Sequence, residues 1–341
     1  MGLGVRPETT PRRPAPNRVH GGLDYAELRE LGLSPRDVLD FSVNTNPAPM
    51  PDELRRVIAG VDVSAYPDSD SRQLRAAAAE AYGVSPEQVI AGNGSSELIW
   101  LIALAFLQPG DSVLVRQPTF GEYEAAARIH RAEVRGYDGP LPRAEARMTF
   151  ICNPNNPTGD CTRLAELPAA GWVVVDEAYA DFVSGRPTLI GPDMPDNLIV
   201  LRSLTKFSAL AGLRLGLAFG QSPAIEALRR VKPPWNVNAV AQAAGEFALR
   251  HPELLPDLGW LSAARQELVA GLRRLGLKPL PTDCNFFLVP VADARELRRR
   301  LLARGCLVRD CTSFGLPDRI RIAVRAPEAN QRLLAAFEST L

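Results

Sequence analysis

Two rhythms of apolar residues alternate along this chain. Short β-branched runs, SVLVR (112–116), MTFIC (148–152), WVVVD (172–176), LIVLR (198–202) and LGLAF (215–219), are separated by stretches with helical spacing. Runs that stay apolar without alternation predict strands buried on both faces, and their interleaving with helices predicts an α/β fold around a mainly parallel sheet. From about Asn236 the pattern changes to long Ala/Leu/Arg helices, then CNFFLVP (284–290), an Arg-rich helix (293–304), RIRIAV (319–324) and a last helix from Pro327. The change predicts a large domain over 46–235 and a smaller α+β domain over 236–341. Residues 17–45 are expected to pack on the smaller one, and residues 1–16, with four prolines and little that is apolar, read as a disordered lead-in.

Composition narrows the chemistry. Basic and acidic residues balance at 39 each with no basic run, which gives no electrostatic surface for nucleic acid or membrane. The longest apolar run, Leu98 to Leu107, is too short to span a bilayer, and residues 1–16 carry no hydrophobic signal core. The five cysteines (Cys152, Cys161, Cys284, Cys306, Cys311) are scattered and form no C-x-x-C pair, which argues against disulfides and structural zinc and for a reducing cytoplasm. No metal site is expected.

Only three of the basic residues are lysines: Lys206, Lys232 and Lys278. Lys206 has the most telling setting, in Arg202-Ser203-Leu204-Thr205-Lys206 directly after a strand, where the ligand edge of an α/β sheet lies. Ser203, Thr205 and Arg214 around it suit a phosphate, since hydroxyls donate hydrogen bonds and guanidinium forks onto phosphate oxygens. Asp176 ends the strand WVVVD, and a carboxylate there is costly without a cationic partner; a protonated pyridine nitrogen is such a partner. Tyr179 stands three residues on. The turn Asn153 to Gly159 follows MTFIC and can present Asn156, while Gly94-Ser95-Ser96 opens a helix whose exposed N–H groups attract anions. Phe120, after SVLVR, can cover an aromatic ring. Each feature alone is also an ordinary turn, cap or core residue.

In this order, the segments GNGSSE, PTF, NPNNPTG, DEAY and SLTKFSALAGLRLG resemble the fold-type I pyridoxal 5′-phosphate (PLP) enzymes, in particular the class I/II aminotransferase superfamily, over about residues 20–340. The resemblance implies a large domain with a mainly parallel, seven-stranded-type sheet between helices and a smaller α+β domain. It implies a PLP-dependent lyase (decarboxylase) or aminotransferase in which Lys206 holds the cofactor as a Schiff base and Asp176 pairs with the pyridinium. Asn156 and Tyr179 would bind the ring hydroxyl, Gly94, Ser95, Ser96, Ser203, Thr205 and Arg214 the phosphate, and Phe120 would stack. It also implies a homodimer, with Tyr66 of the Tyr66-Pro67 turn reaching the neighbouring site.

Substrate features are concentrated near the two ends. Arg309 and Arg321 lie in strand-like segments, and bidentate anchoring of carboxylate or phosphate is what arginine does well. His20-Gly21-Gly22 and Asp40-Phe41-Ser42-Val43-Asn44-Thr45-Asn46-Pro47 resemble the threonine-phosphate decarboxylases of cobalamin biosynthesis more than the histidinol-phosphate aminotransferases. That resemblance implies that His20, Asn44 and Arg309 hold a substrate phosphate and Arg321 a carboxylate, with Asn156 beside them; Arg18 departs from the pattern, which has a small hydroxyl residue there. The leading expectation is therefore decarboxylation of L-threonine O-3-phosphate. The alternative is a histidinol-phosphate or related aminotransferase working with 2-oxoglutarate and glutamate, and a third reading is a catalytically silent effector-binding protein of the same fold.

Overall fold

The computed structural model describes residues 20–142, 145–162, 164, 167–254 and 259–341; the expected lead-in 1–16 and Arg18 lie outside the described residues. The chain enters through α1 (Tyr25–Glu30), capped by Asp24, whose carboxylate accepts from the N–H groups of Ala26 and Glu27. A two-residue strand, β1 (Leu39–Asp40), follows, and then α2 (Asp52–Ala59) and α3 (Arg72–Tyr82).

The next stretch builds the main sheet from β2 (Val89–Gly92), β3 (Ser112–Arg116), β4 (Glu133–Tyr137), β5 (Met148–Cys152), β6 (Trp172–Asp176), β7 (Leu198–Ser203) and β8 (Gly216–Phe219), with α4 (Gly94–Phe106) and α5 (Glu122–Ile129) between strands. Its order is β2-β8-β7-β6-β5-β3-β4. The five expected strands form where the apolar runs predict them. β5 and β7 are buried throughout their lengths, and each apolar side chain so buried contributes about 1.5–3 kcal/mol. The 215–219 strand departs from the parallel expectation, since β8 runs antiparallel to both β2 and β7. β2 and β4 were not foreseen: β2 is four residues long, and β4 is an edge strand whose sequence, EVRGY, is largely exposed and polar.

Helices cover both faces. α4, α5 and α6 (Ser222–Val231) close one core around Leu98, Ile102, Phe150 and Ile225. α3 and α7 (Ala239–Arg250) close the other, around Leu74, Val175, Val200 and Ala241. Just past the expected boundary at residue 236, α7 packs on α2 and α3, and Val237 and Ala241 belong to the core beneath the large sheet.

The remaining chain forms α8 (Gly259–Arg274), β9 (Phe286–Pro290), α9 (Ala294–Leu302), β10 (Cys306–Leu307), β11 (Arg309–Asp310), β12 (Arg319–Ala323) and α10 (Pro327–Glu338). Strands β11-β12-β9 make a small antiparallel sheet, and β1 pairs in parallel with β10. Leu28 and Val38 pack on Leu302 and Leu307, which fastens the N-terminal segment to this smaller unit. One apolar cluster joins the two units, with Tyr179 and Phe182 from the large sheet's edge packed among Phe286, Phe287 and Ile322. No helix among the described residues is long and apolar enough to cross a membrane.

Candidate active site

Parallel strands end together, and three of them deliver the expected residues to one edge. The register pairs Cys152 with Asp176 and Asp176 with Leu201, so the turn after β5, the end of β6 and the loop after β7 are neighbours. Asp176 is 4% exposed; its Oδ1 accepts from the Ala178 N–H at 2.9 Å and its Oδ2 from the Tyr123 hydroxyl at 2.7 Å. Burial raises its pKa above the usual carboxylate range, with the Tyr123 and Ala178 hydrogen bonds and then Lys206 opposing.

Lys206 Nζ lies 5.9 Å from the centre of the Tyr179 ring. The segment ahead of α2 holds the lysine loop: the Asn46 N–H donates to Lys206 O at 2.9 Å and its side-chain amide to Phe207 O at 2.9 Å. Burial, with help from the Arg321 and Arg214 charges and against Asp176, pulls the Lys206 ammonium down to about 8. Tyr179 is buried edge-on to Phe286, and burial pushes its hydroxyl pKa up.

Beside the lysine, β8 carries the chain back under the start of α4. A Cβ on Gly216 would collide with the backbone of Gly94 and Ser95, and one on Gly94, at φ +81, would lie 2.6 Å from Arg214 Nη2. The bare backbone thus lets the Arg214 guanidinium and the N–H groups at the α4 start converge, with Ser95 and Ser96 in the first turn. The Ser203 and Thr205 hydroxyls are 2.7 Å apart in the same loop. This cradle fits a phosphate. Gly216→Ala is expected to weaken PLP binding by the apo chain about tenfold or more, the size of a 1–3 kcal/mol overpacking cost, as read by fluorescence titration.

The residues expected on the substrate side come from separate segments. Arg309 and Arg321 are register partners on β11 and β12, both 5% exposed. Burial, followed by Arg321, pulls Arg309 down to about 10; burial lowers Arg321 as well, and both keep their charge at neutral pH. Arg321 donates to Asn156 Oδ1 and to Ser42 O. Arg309 donates to His20 O at 3.1 Å and Ser313 Oγ at 2.7 Å. His20 Nε2 stands 3.3 Å from the buried carboxylate of Glu122, and its ring is 5.9 Å from that of Phe120. Among the described residues, Arg321 Nε and both polar atoms of the Asn44 amide are buried without a hydrogen-bond partner, which fits a site that receives a polar ligand.

Tyr66, expected to reach a neighbouring site, lies at the surface. It is 82% exposed and packs on Trp235, with ring centres 4.9 Å apart.

The chain matches the sequence profile of aminotransferase class I and II over residues 36–337. It belongs to that family. Class I and II aminotransferases are PLP-dependent enzymes, so the catalytically silent reading is set aside. Curated relatives include histidinol-phosphate aminotransferases from Symbiobacterium thermophilum, 36% identical over 92% of each chain, and Caldanaerobacter subterraneus subsp. tengcongensis, 34% identical over 88% of this chain and 92% of that one. Among solved structures, the L-threonine-O-3-phosphate decarboxylase from Porphyromonas gingivalis superposes with a TM-score of 0.81 at 26% identity, covering 88% of this chain and 98% of that one. The histidinol-phosphate aminotransferase from Sinorhizobium meliloti, solved with pyridoxal-5′-phosphate, shares the fold at a TM-score of 0.81 and 21% identity, covering 98% of this chain and all of that one.

Sequence reasoning missed three residues of this site. Tyr123 holds Asp176, Glu122 holds His20, and Arg325 donates to the carbonyls of Asp40 (2.7 Å), Val43 (2.7 Å) and Thr45 (3.1 Å), pinning the segment that carries Asn44. The one available signal was Tyr123's place three residues after Phe120, at a helix start.

Proposed function

We propose that this enzyme transfers the amino group of a phosphorylated amine of the histidinol-phosphate kind to a 2-oxo acid such as 2-oxoglutarate. The observation that carries the reading is the pair of arginines facing each other across β11 and β12. Like charges directly opposite on neighbouring strands are destabilising, and burial adds to the cost, so the site suits an occupant with strong negative charge. The names and identity levels of the curated relatives favour transamination over the decarboxylation expected from the sequence motifs.

When bound, PLP supplies an electron sink for the bond broken at the substrate's Cα. Lys206 Nζ would hold the cofactor covalently and would move the proton to and from the substrate's Cα. Asp176 keeps the ring nitrogen protonated. Asn156 and Tyr179 donate to the ring hydroxyl oxygen, Phe120 covers the ring, and Gly94, Ser95, Ser96, Ser203, Thr205 and Arg214 hold the phosphate. Arg321 anchors the carboxylate of the 2-oxo acid, and Arg309, His20 and Asn44 take the substrate phosphate. The exposed Tyr66 and Trp235 rings suit a homodimer in which Tyr66 reaches the neighbouring cofactor phosphate.

The neutral amine of Lys206 is the nucleophile. Combination of the apo chain with PLP is therefore expected to accelerate as pH rises through about 8 and to level off above it, measured by stopped-flow absorbance. Folding stability is expected to follow the same titration: the folded pKa of about 8 lies below the ordinary 10.5, so burying the ammonium costs stability below about 8, and that cost is relieved between the two values.

A second reading, decarboxylation of L-threonine O-3-phosphate, is favoured by the superposition at a TM-score of 0.81. Two anion-binding arginines also match a substrate carrying both carboxylate and phosphate. The two readings separate in one assay of the PLP-loaded enzyme. Histidinol phosphate is expected to convert 2-oxoglutarate to glutamate in stoichiometric amount; CO2 from threonine phosphate, with no need of a 2-oxo acid, would transfer the assignment to the second reading.

A further inference from the structure

Asp176 is buried at the end of β6, and the chain engages both of its oxygens, through the Ala178 N–H and the Tyr123 hydroxyl. Tyr123 is itself wholly buried. Its ring stacks on Phe150, with centres 5.1 Å apart and planes at 15°, and meets the Phe120 ring edge-on at 5.7 Å and 80°. Clamped between those rings, its hydroxyl has a fixed heading, and its single proton is directed at Oδ2.

We propose that Tyr123 is a positioning residue for Asp176: its hydroxyl fixes the carboxylate plane and keeps the proton that Asp176 shares with the cofactor's ring nitrogen on the nitrogen. The inference rests on the reading of Asp176 as the ring-nitrogen partner. A carboxylate that accepts a hydrogen bond is less basic than the same carboxylate without it. Removing the donor draws the shared proton toward Asp176 and leaves the ring a weaker electron sink.

The groups facing Asp176 leave Tyr123 this task. Burial drives the carboxylate toward protonation and Glu177 adds to it, while Tyr123, the Ala178 N–H and Lys206 oppose. Cys152 lies against both Asp176 and Tyr123, but burial pushes its thiol up to about 12, so it adds no charge at neutral pH. Tyr179 faces the cluster too, and burial holds its hydroxyl neutral. Tyr123 is pushed well above the ordinary tyrosine range by burial, then by Asp176, and so stays a donor.

Tyr123→Phe deletes one oxygen and keeps both ring contacts. In the apo chain, the infrared carbonyl band of the buried carboxyl group, assigned by its loss in Asp176→Asn, is expected to titrate about one pH unit or more higher in Tyr123→Phe. Tyrosine fluorinated beside its hydroxyl, a stronger donor of nearly the same shape, shifts the midpoint the other way in an otherwise unaltered chain. In the PLP-loaded enzyme, Tyr123→Phe lowers kcat by about 10- to 100-fold with KM held within about twofold, and the ring 15N resonance of labelled PLP moves toward unprotonated pyridine. Unshifted midpoints, or full kcat in Tyr123→Phe while Asp176→Ala is impaired, overturn the role of Tyr123 alone. Full turnover in Asp176→Ala overturns the reading of Asp176 beneath it.

Discussion

Lys206→Ala, freed of unbound PLP after mixing, is expected to be colourless, to take no borohydride-fixed label, and to lose turnover by about 10⁴-fold or more. The size follows from the two tasks proposed for this one amine, covalent attachment and proton carriage at Cα, where proton transfer by a placed side chain alone is worth about 10²–10⁴-fold. Neither other lysine can take over. Lys232 Nζ is held by Ser69 O at 2.9 Å and Asn236 Oδ1 at 3.1 Å, and Lys278 is exposed in the segment between α8 and β9. The apo variant should melt no lower than the parent at neutral pH, because burial holds the Lys206 ammonium down to about 8 and its removal deletes that cost. Loss of activity then reads as lost chemistry and not as unfolding. Persistent colour, with label on a peptide containing Lys232 or Lys278, would give the role to that lysine instead of Lys206.

Asp176→Ala is expected to behave differently: the protein still becomes coloured with PLP, because Lys206 remains, yet kcat falls by about 10²–10³-fold or more. Losing one partner of a buried charge pair costs about 3–5 kcal/mol, and that energy is spent where electrons arrive during bond breaking. The Ala178 N–H and the Tyr123 hydroxyl lose their acceptor in the same variant, so a stability loss of about 1–3 kcal/mol accompanies it. Denaturant midpoints and single-turnover rates separate the two effects. Turnover at the parent level would remove Asp176 from the reaction.

The placing of these two residues at one sheet edge could be read from the sequence because their settings are local. Lys206 and Asp176 each follow an apolar run whose end defines the ligand edge, and the strands formed where those runs lie. Asn153 to Gly159 and Gly94 to Ser96 are turn and helix-start sequences, whose geometry is fixed by their own prolines, glycines and hydroxyls. Substrate choice was harder to read. The motifs HGG and DFSVNTNP pointed to decarboxylation, whereas relatives 34% and 36% identical over most of the chain are histidinol-phosphate aminotransferases.

The sequence by itself determined the α/β class, the strand ends that carry the lysine and the aspartate, and the pyridine-phosphate chemistry those ends imply, because each depends on a few adjacent residues and on backbone preference. Only the tertiary structure decided that Tyr123 meets Asp176 across 53 positions, that Arg309 and Arg321 stand opposite one another, that Arg325 pins the Asn44 segment, and that β8 runs backwards through the sheet. Those relations depend on strand order and register, which the packing of whole elements selects and which no short stretch of chain encodes.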